Sequence, residues 1–118
     1  MKKVFIAEDQ TILRDLIWRV LDQYPQIQVI GTSGDGQDAY ERCLDQKPDI
    51  IILDIMMPYL NGIEVLRRLK AKNSKIQILV FSEAGSRNVI KQAIEAGVDG
   101  FLEKDISLTE LEKAIERI

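Results

Sequence analysis

An α/β domain built on a parallel sheet, with helices on both faces, is the architecture this sequence predicts, on three observations. Segments with strand-like and helix-like patterning alternate strictly, strand then helix, five times over. Parallel neighbours joined by right-handed crossovers require that alternation. The run Ile50-Ile51-Ile52-Leu53 is apolar without a break and ends on Asp54, the pattern of a central strand buried on both faces. The length of 118 residues suits one domain with one core, and no linker, low-complexity segment or repeat beyond the strand–helix unit divides it.

The first strand, Lys3-Val4-Phe5-Ile6-Ala7, stops at Glu8-Asp9. Thr11 is the expected N-cap of a first helix, whose Leu13, Leu16, Ile17, Val20 and Leu21 recur on one face. Pro25 closes that region. Ile27-Gln28-Val29-Ile30 is a second strand ending at Gly31, and Gly34-Asp35-Gly36 reads as a loop. Ala39, Tyr40, Cys43 and Leu44 stripe a second helix, and Lys47-Pro48-Asp49 leads into the central strand. A loop from Met56 to Gly62 is punctuated by Pro58. Val65, Leu66 and Leu69 mark a third helix. Ile76-Gln77-Ile78-Leu79-Val80-Phe81 is a fourth strand ending at Ser82. Val89, Ile90, Ala93 and Ile94 give a fourth helix, with Gly97 as its C-terminal stop. Gly100-Phe101-Leu102 is a short fifth strand ending near Lys104. Ser107, with Glu110 as capping-box partner, starts a last helix buried through Leu108, Leu111, Ala114, Ile115 and Ile118.

Composition removes several function classes. Hydrophobic residues make up 46% and charged residues 30%, the balance of an ordinary globular domain. The net charge of −3 offers no basic face to nucleic acid and no attraction to an anionic membrane surface. No apolar run is long enough to span a bilayer, and no signal-peptide pattern opens the sequence. Cys43 is the single cysteine and has no disulfide partner within the chain, so cytoplasmic residence is the default expectation. The absence of histidine excludes an imidazole base, a Ser-His-Asp triad and a histidine-ligated zinc within one chain.

The chemistry collects at the strand ends. In a parallel sheet the carboxyl ends share one edge, where open α/β sheets place ligands. That edge gathers Glu8 and Asp9, Asp54, Ser82 and Lys104. Three carboxylates disfavour one another's ionisation unless a counter-charge joins them. An all-oxygen donor set suits Mg2+, which keeps several waters. Asp54, on the most buried strand, is the candidate nucleophile for a phosphoryl group, with Lys104 offsetting the phosphoryl charge and Ser82 hydrogen-bonding it.

With Met57-Pro58 and Gly62 following the central Asp, this constellation resembles the receiver domain of two-component response regulators, over the whole chain, residues 1–118. The resemblance implies a flavodoxin-like sheet of strand order 2-1-3-4-5, with Asp54 as phosphoacceptor. It implies Mg2+ held by Glu8, Asp9, Asp54 and the backbone carbonyl of Met56, and phosphoryl oxygens bound by Ser82 and Lys104. The phosphodonor would be a sensor histidine kinase or phosphotransfer protein. Phosphorylation adds nearly two negative charges. Ser82 would then move toward the phosphate, Phe101 turn inward, and the face of helix four, strand five and helix five change as a two-state element. Such a domain catalyses its own phosphorylation and dephosphorylation but serves as a switch. Details around Gly31, Gly34-Asp35-Gly36 and Gly100-Phe101-Leu102 are similar to regulators with a LuxR-type helix-turn-helix output. Two readings fit, a stand-alone receiver or the excised receiver of a longer regulator; the second is the expectation, a receiver that controls dimerisation and a DNA-binding domain outside this chain.

Two residues depart from that pattern: Glu83 follows the hydroxyl position where a small residue is usual, and Asp105 follows the lysine where proline is usual. Glu83 either stands at the pocket mouth or points to solvent, and the Lys104-Asp105 bond is either cis or trans. Trp18, off the apolar stripe of the first helix, either forms a homodimer or kinase patch with Leu108 or Leu111 or is a partly covered side chain of no functional consequence. Cys43, Tyr40, Met56 and Met57 read as packing residues. Two other classes remain in view. A flavodoxin-like cofactor binder is disfavoured because Glu8-Asp9-Gln10 stands where a phosphate loop belongs. A phosphorylation-independent scaffold finds its support in Glu83 and Asp105. An aspartyl phosphatase is disfavoured because Ile55-Met56, not a second Asp, follows Asp54.

Overall fold

A computed structural model describes residues 1–72, 75–83, 87–104 and 108–117. Ten elements alternate along it: β1 (Lys2–Ala7), α1 (Thr11–Asp22), β2 (Ile27–Ser33), α2 (Gly36–Gln46), β3 (Ile50–Leu53), α3 (Gly62–Lys72), β4 (Gln77–Ser82), α4 (Arg87–Glu95), β5 (Gly100–Glu103) and α5 (Leu108–Glu116). The strands form one parallel sheet in the order β2-β1-β3-β4-β5, as the sequence and its resemblance led us to expect.

The apolar strands dictate two core layers, because successive side chains alternate across the sheet. Ile51 and Leu53 of β3, with Phe5, Ala7, Ile78 and Val80, pack against Ala39 and Cys43 of α2, Val65, Leu66 and Leu69 of α3, and Ala93 of α4. Ile50 and Ile52, with Val4, Ile6, Leu79 and Phe81, pack against Ile17, Val20 and Leu21 of α1 and Leu111 and Ile115 of α5. The β3 run needs no polar position, since both of its faces are covered.

Three local expectations change. The N-cap of α1 is Gln10, in extended conformation, and Thr11 is the first helical residue; the Gln10 N–H is drawn onto the Glu8 carboxylate at 3.0 Å, which sets the chain's turn one residue early. Gly36 belongs to α2, whose N-cap is Asp35, accepting from the N–H groups of Gln37 and Asp38. β2 continues past Gly31 to Ser33. Gly97, at φ 93°, ends α4 as expected. The expected cap at Ser107 and the Lys104-Asp105 bond lie outside the described residues.

Register brings the functional residues to one edge. Ala7 pairs with Leu53 and Asp54 N–H continues to the Ala7 carbonyl at 2.8 Å. Ser82 pairs with Glu103 and Lys104 N–H donates to the Ser82 carbonyl at 2.7 Å. Glu8, Asp54 and Lys104 are thus each the first residue past a strand's last ladder position.

Candidate functional site

Carboxylate oxygens of Glu8, Asp9 and Asp54 lie within 4.8 Å of one another. Glu8 and Asp54 are each 1% exposed, whereas Asp9 faces solvent. The Lys104 ammonium enters from β5 and lies 3.1 Å from Glu8 Oε1, 3.2 Å from Glu8 Oε2 and 3.2 Å from Asp54 Oδ2. The Lys104 ammonium therefore faces two of the three acids directly. On the far side, Met56 N–H donates to Asp54 Oδ1 at 3.2 Å.

Protonation follows from this crowding. Burial, then the Glu8 charge and the close Glu8 and Asp9 carboxylates, push the Asp54 carboxyl up to about 7, against the lowering effect of Lys104. Burial alone would lower the Lys104 ammonium, but its hydrogen bond to Glu8 and the charges of Asp54 and Glu8 outweigh it, leaving Lys104 above its ordinary value.

The pocket fits a hard divalent cation. Glu8 Oε1 and Asp54 Oδ2 are buried oxygens that accept no hydrogen bond; Lys104 attracts both across ion-pair distances but is poorly aligned for donation. Orphaned buried acceptors in an all-oxygen cluster, open to water on the Asp9 side, match a cation that retains part of its hydration shell. Gly62 keeps the floor tight: a Cβ there would collide with the carbonyl oxygen of Asp54.

The other named residues fall at different distances from this centre. Ser82 is buried at the end of β4. Phe101 is half-buried against the α2–α3–α4 layer. The Met56 side chain is 73% exposed, so the packing role expected for it is wrong: the loop turns it outward while Met57 takes the core position. Glu83 is exposed to solvent, on a cleft of about 610 Å³ that it lines with Ile12, Leu16 and Lys104 and to which none of the three acids contributes. Trp18 is 41% exposed. Leu111 is not its surface companion: at 3% exposure it is packed among core residues of the α1–α5 layer, the position that helix periodicity gives its inward face. The Leu108 side chain lies outside what is described. Cys43 is buried, and burial pushes its thiol up to about 12, so it is protonated and unreactive.

Sequence reasoning missed Arg14, which donates from Nη1 to the Glu8 carbonyl at 3.1 Å. No spacing rule marks a side chain that reaches a backbone oxygen across a turn. The described residues contain no helix long and apolar enough to cross a membrane.

The chain is similar to known proteins in sequence and fold. A family model for the response regulator receiver domain matches residues 4–116. The chain is 38% identical, over all of its own length and 58% of the other protein, to the transcriptional regulatory protein DesR of Bacillus subtilis. It is 32% identical, over 97% of its length and 53% of the other, to the nitrate/nitrite response regulator protein NarL of Escherichia coli K12. Among solved structures, a LuxR-family DNA-binding response regulator from Staphylococcus aureus superposes with a TM-score of 0.93 at 26% identity, covering 99% of this chain and 98% of that one. The chain spans about half the length of the curated relatives it matches.

Proposed function

The chain belongs to the response regulator receiver domain family of two-component systems, and from that premise we propose that residues 1–118 act as a receiver that takes a phosphoryl group on Asp54. The observation that carries this reading is the Asp54 carboxylate: buried, with an oxygen that accepts no hydrogen bond, beside one ammonium and two further acids.

Glu8, Asp9, Asp54 and the Met56 backbone carbonyl would hold Mg2+, which when bound supplies the positive charge that the three carboxylates and the phosphoryl oxygens share. Asp54 supplies the nucleophile: a carboxylate oxygen forms the P–O bond as the P–N bond of a donor phosphohistidine breaks. Lys104, already 3.2 Å from Asp54 Oδ2, offsets charge on the phosphoryl oxygens. Ser82 donates its hydroxyl proton to one of them. The Met56 N–H holds Asp54 Oδ1 in place through the transfer. Water later hydrolyses the acyl phosphate and restores the carboxylate.

A switch follows from the shared strand. Lys104 and Phe101 both extend from β5, an edge strand paired on one side. A phosphoryl group that draws Ser82 and Lys104 toward Asp54 pulls on the strand that carries Phe101, and the α4–β5–α5 face responds. The partners this implies are a histidine kinase or phosphotransfer protein and a second copy of the chain. Two relatives are transcriptional regulators by name, which supports a cytoplasmic regulator whose DNA-binding output is carried outside this domain.

Incubation with a small phosphodonor, followed by intact-mass measurement, tests the reading. We expect an Mg2+-dependent gain of one phosphoryl group that is absent in Asp54→Ala. No gain under any condition favours a phosphorylation-independent scaffold.

A further inference from the structure

The acidic pair Glu8-Asp9 leaves β1 at the point where the ladder to β2 fails. Ala7 pairs with Ser33, and the Glu8 N–H takes one more step to the Ser33 carbonyl at 2.9 Å. A continuing parallel ladder would next bring the Asp35 N–H to the Glu8 carbonyl. Asp35 N–H donates instead to Ser33 Oγ at 3.2 Å, because Asp35 has turned away to cap α2. The carbonyl of a residue 1% exposed to solvent has lost its strand partner. The Arg14 guanidinium takes the vacated position, 3.1 Å away.

Gly34 admits it. A Cβ at position 34 would lie 2.9 Å from Arg14 Nη1 and 3.5 Å from the Asp9 Cα. The guanidinium is therefore seated between the β1–α1 turn and the β2–α2 loop, in space that a side chain at position 34 would narrow. The peptide unit it grips joins the two acids, and a planar peptide held by its carbonyl has a fixed orientation. That orientation sets how Glu8 and Asp9 leave the strand end. From the pocket side, Gln10 N–H at 3.0 Å and Lys104 at 3.2 Å hold the Glu8 carboxylate.

We infer that Arg14, seated by Gly34, is a positioning residue for the divalent-cation site: it replaces the missing strand donor and holds the Glu8–Asp9 peptide so that both carboxylates converge with Asp54. This rests on the reading of the acidic cluster as a cation site. A group one bond removed from a ligand typically changes metal affinity by 10- to 100-fold when lost.

Titration of MgCl2 by calorimetry, beside thermal melts in EDTA, tests it on wild type, Arg14→Ala, Arg14→Lys, Gly34→Ala and the Arg14→Ala/Gly34→Ala pair. Arg14→Ala is expected to weaken Mg2+ binding about tenfold, and Arg14→Lys, which keeps a cationic donor, to recover part of the loss. Gly34→Ala weakens binding with Arg14 still present, by displacing it, and the double variant binds no more weakly than Arg14→Ala. A purely structural Arg14 would lower the EDTA melting temperature and leave the Mg2+ affinity within twofold, which overturns the inference. Fully additive losses in the double variant overturn it too, since the two changes would then act separately. If Arg14→Ala does not fold, Arg14→Lys and Gly34→Ala decide the matter by the same criterion. Wild type that binds no Mg2+ removes the cation site and the positioning role together, whereas binding that every variant retains removes the positioning role alone.

Discussion

Replacing Asp54 by asparagine should stabilise the metal-free protein at neutral and alkaline pH. The Asp54 carboxyl moves from 3.8 when exposed to about 7 in the folded chain. Its folded value lies above its unfolded one, so the folded state binds the proton more tightly. The resulting stability is fully present below pH 3.8 and is lost as pH rises through 7. Each pKa unit is worth about 1.4 kcal/mol, which caps the loss at about 4 kcal/mol. Water reaches the pocket past Asp9, and solvent screening brings the expected loss to about 2 kcal/mol. Asparagine keeps the shape, accepts from Met56 N–H, and removes the charge. For a domain of this size about 2 kcal/mol corresponds to a rise of roughly 6–10 °C in melting temperature. The assay is thermal unfolding in EDTA at pH 8 and pH 4.5. The gap between variant and wild type should be full at pH 8 and shrink to about a quarter at pH 4.5, where most of the titration has not occurred. Millimolar Mg2+ at pH 8 should narrow it from the other side, by stabilising wild type more than a variant with one carboxylate fewer. An Asp54→Asn protein no more stable than wild type at pH 8, or a gap equal at both pH values, would refute the crowding argument.

Lys104→Met leaves Glu8 and Asp54 buried without their cation, and should cost about 3 kcal/mol in EDTA at pH 8; added Mg2+ should recover much of it, measured as the Mg2+-induced shift in melting temperature. Gly62→Ala, whose methyl collides with backbone at Asp54, should destabilise by about 2 kcal/mol or more, read from denaturant midpoints. Cys43, buried and with its thiol pushed up to about 12, should react with a thiol reagent at pH 8 at least a hundredfold more slowly in the folded protein than in guanidinium, followed by absorbance of the released chromophore.

What the sequence made legible is what backbone periodicity encodes. Ile50 to Leu53 reads as a strand covered on both sides, and a strand of that kind in a parallel sheet puts its next residue, Asp54, on the ligand edge. The same argument carried Glu8 and Lys104 to that edge, because each follows an apolar run. Legibility stopped where a side chain's fate depends on a partner distant in sequence. Helix periodicity put Leu111 on the inward face of α5, but whether that face met solvent or α1 depended on packing across the sheet. Thr11 has the better capping side chain, yet the Glu8 carboxylate captured the Gln10 amide first. The Arg14 guanidinium answers a donor missing from a ladder, and a missing donor leaves no mark in the pattern of residues.

The same crowding that weakens the metal-free fold would make the site responsive to added charge. Glu8 and Asp54 are held together by one ammonium at distances of 3.1–3.2 Å, with two buried oxygens accepting no hydrogen bond. A pocket with every acceptor satisfied would gain little from a cation and would resist a change of charge at Asp54. Here the unsatisfied oxygens leave favourable interactions still to be made, and the groups around them follow directly on three strands, β1, β3 and β5. On the proposed reading, charge added at Asp54 would draw on Lys104, and since Lys104 is backbone-bonded to Ser82, the adjustment would reach β4 and β5 together.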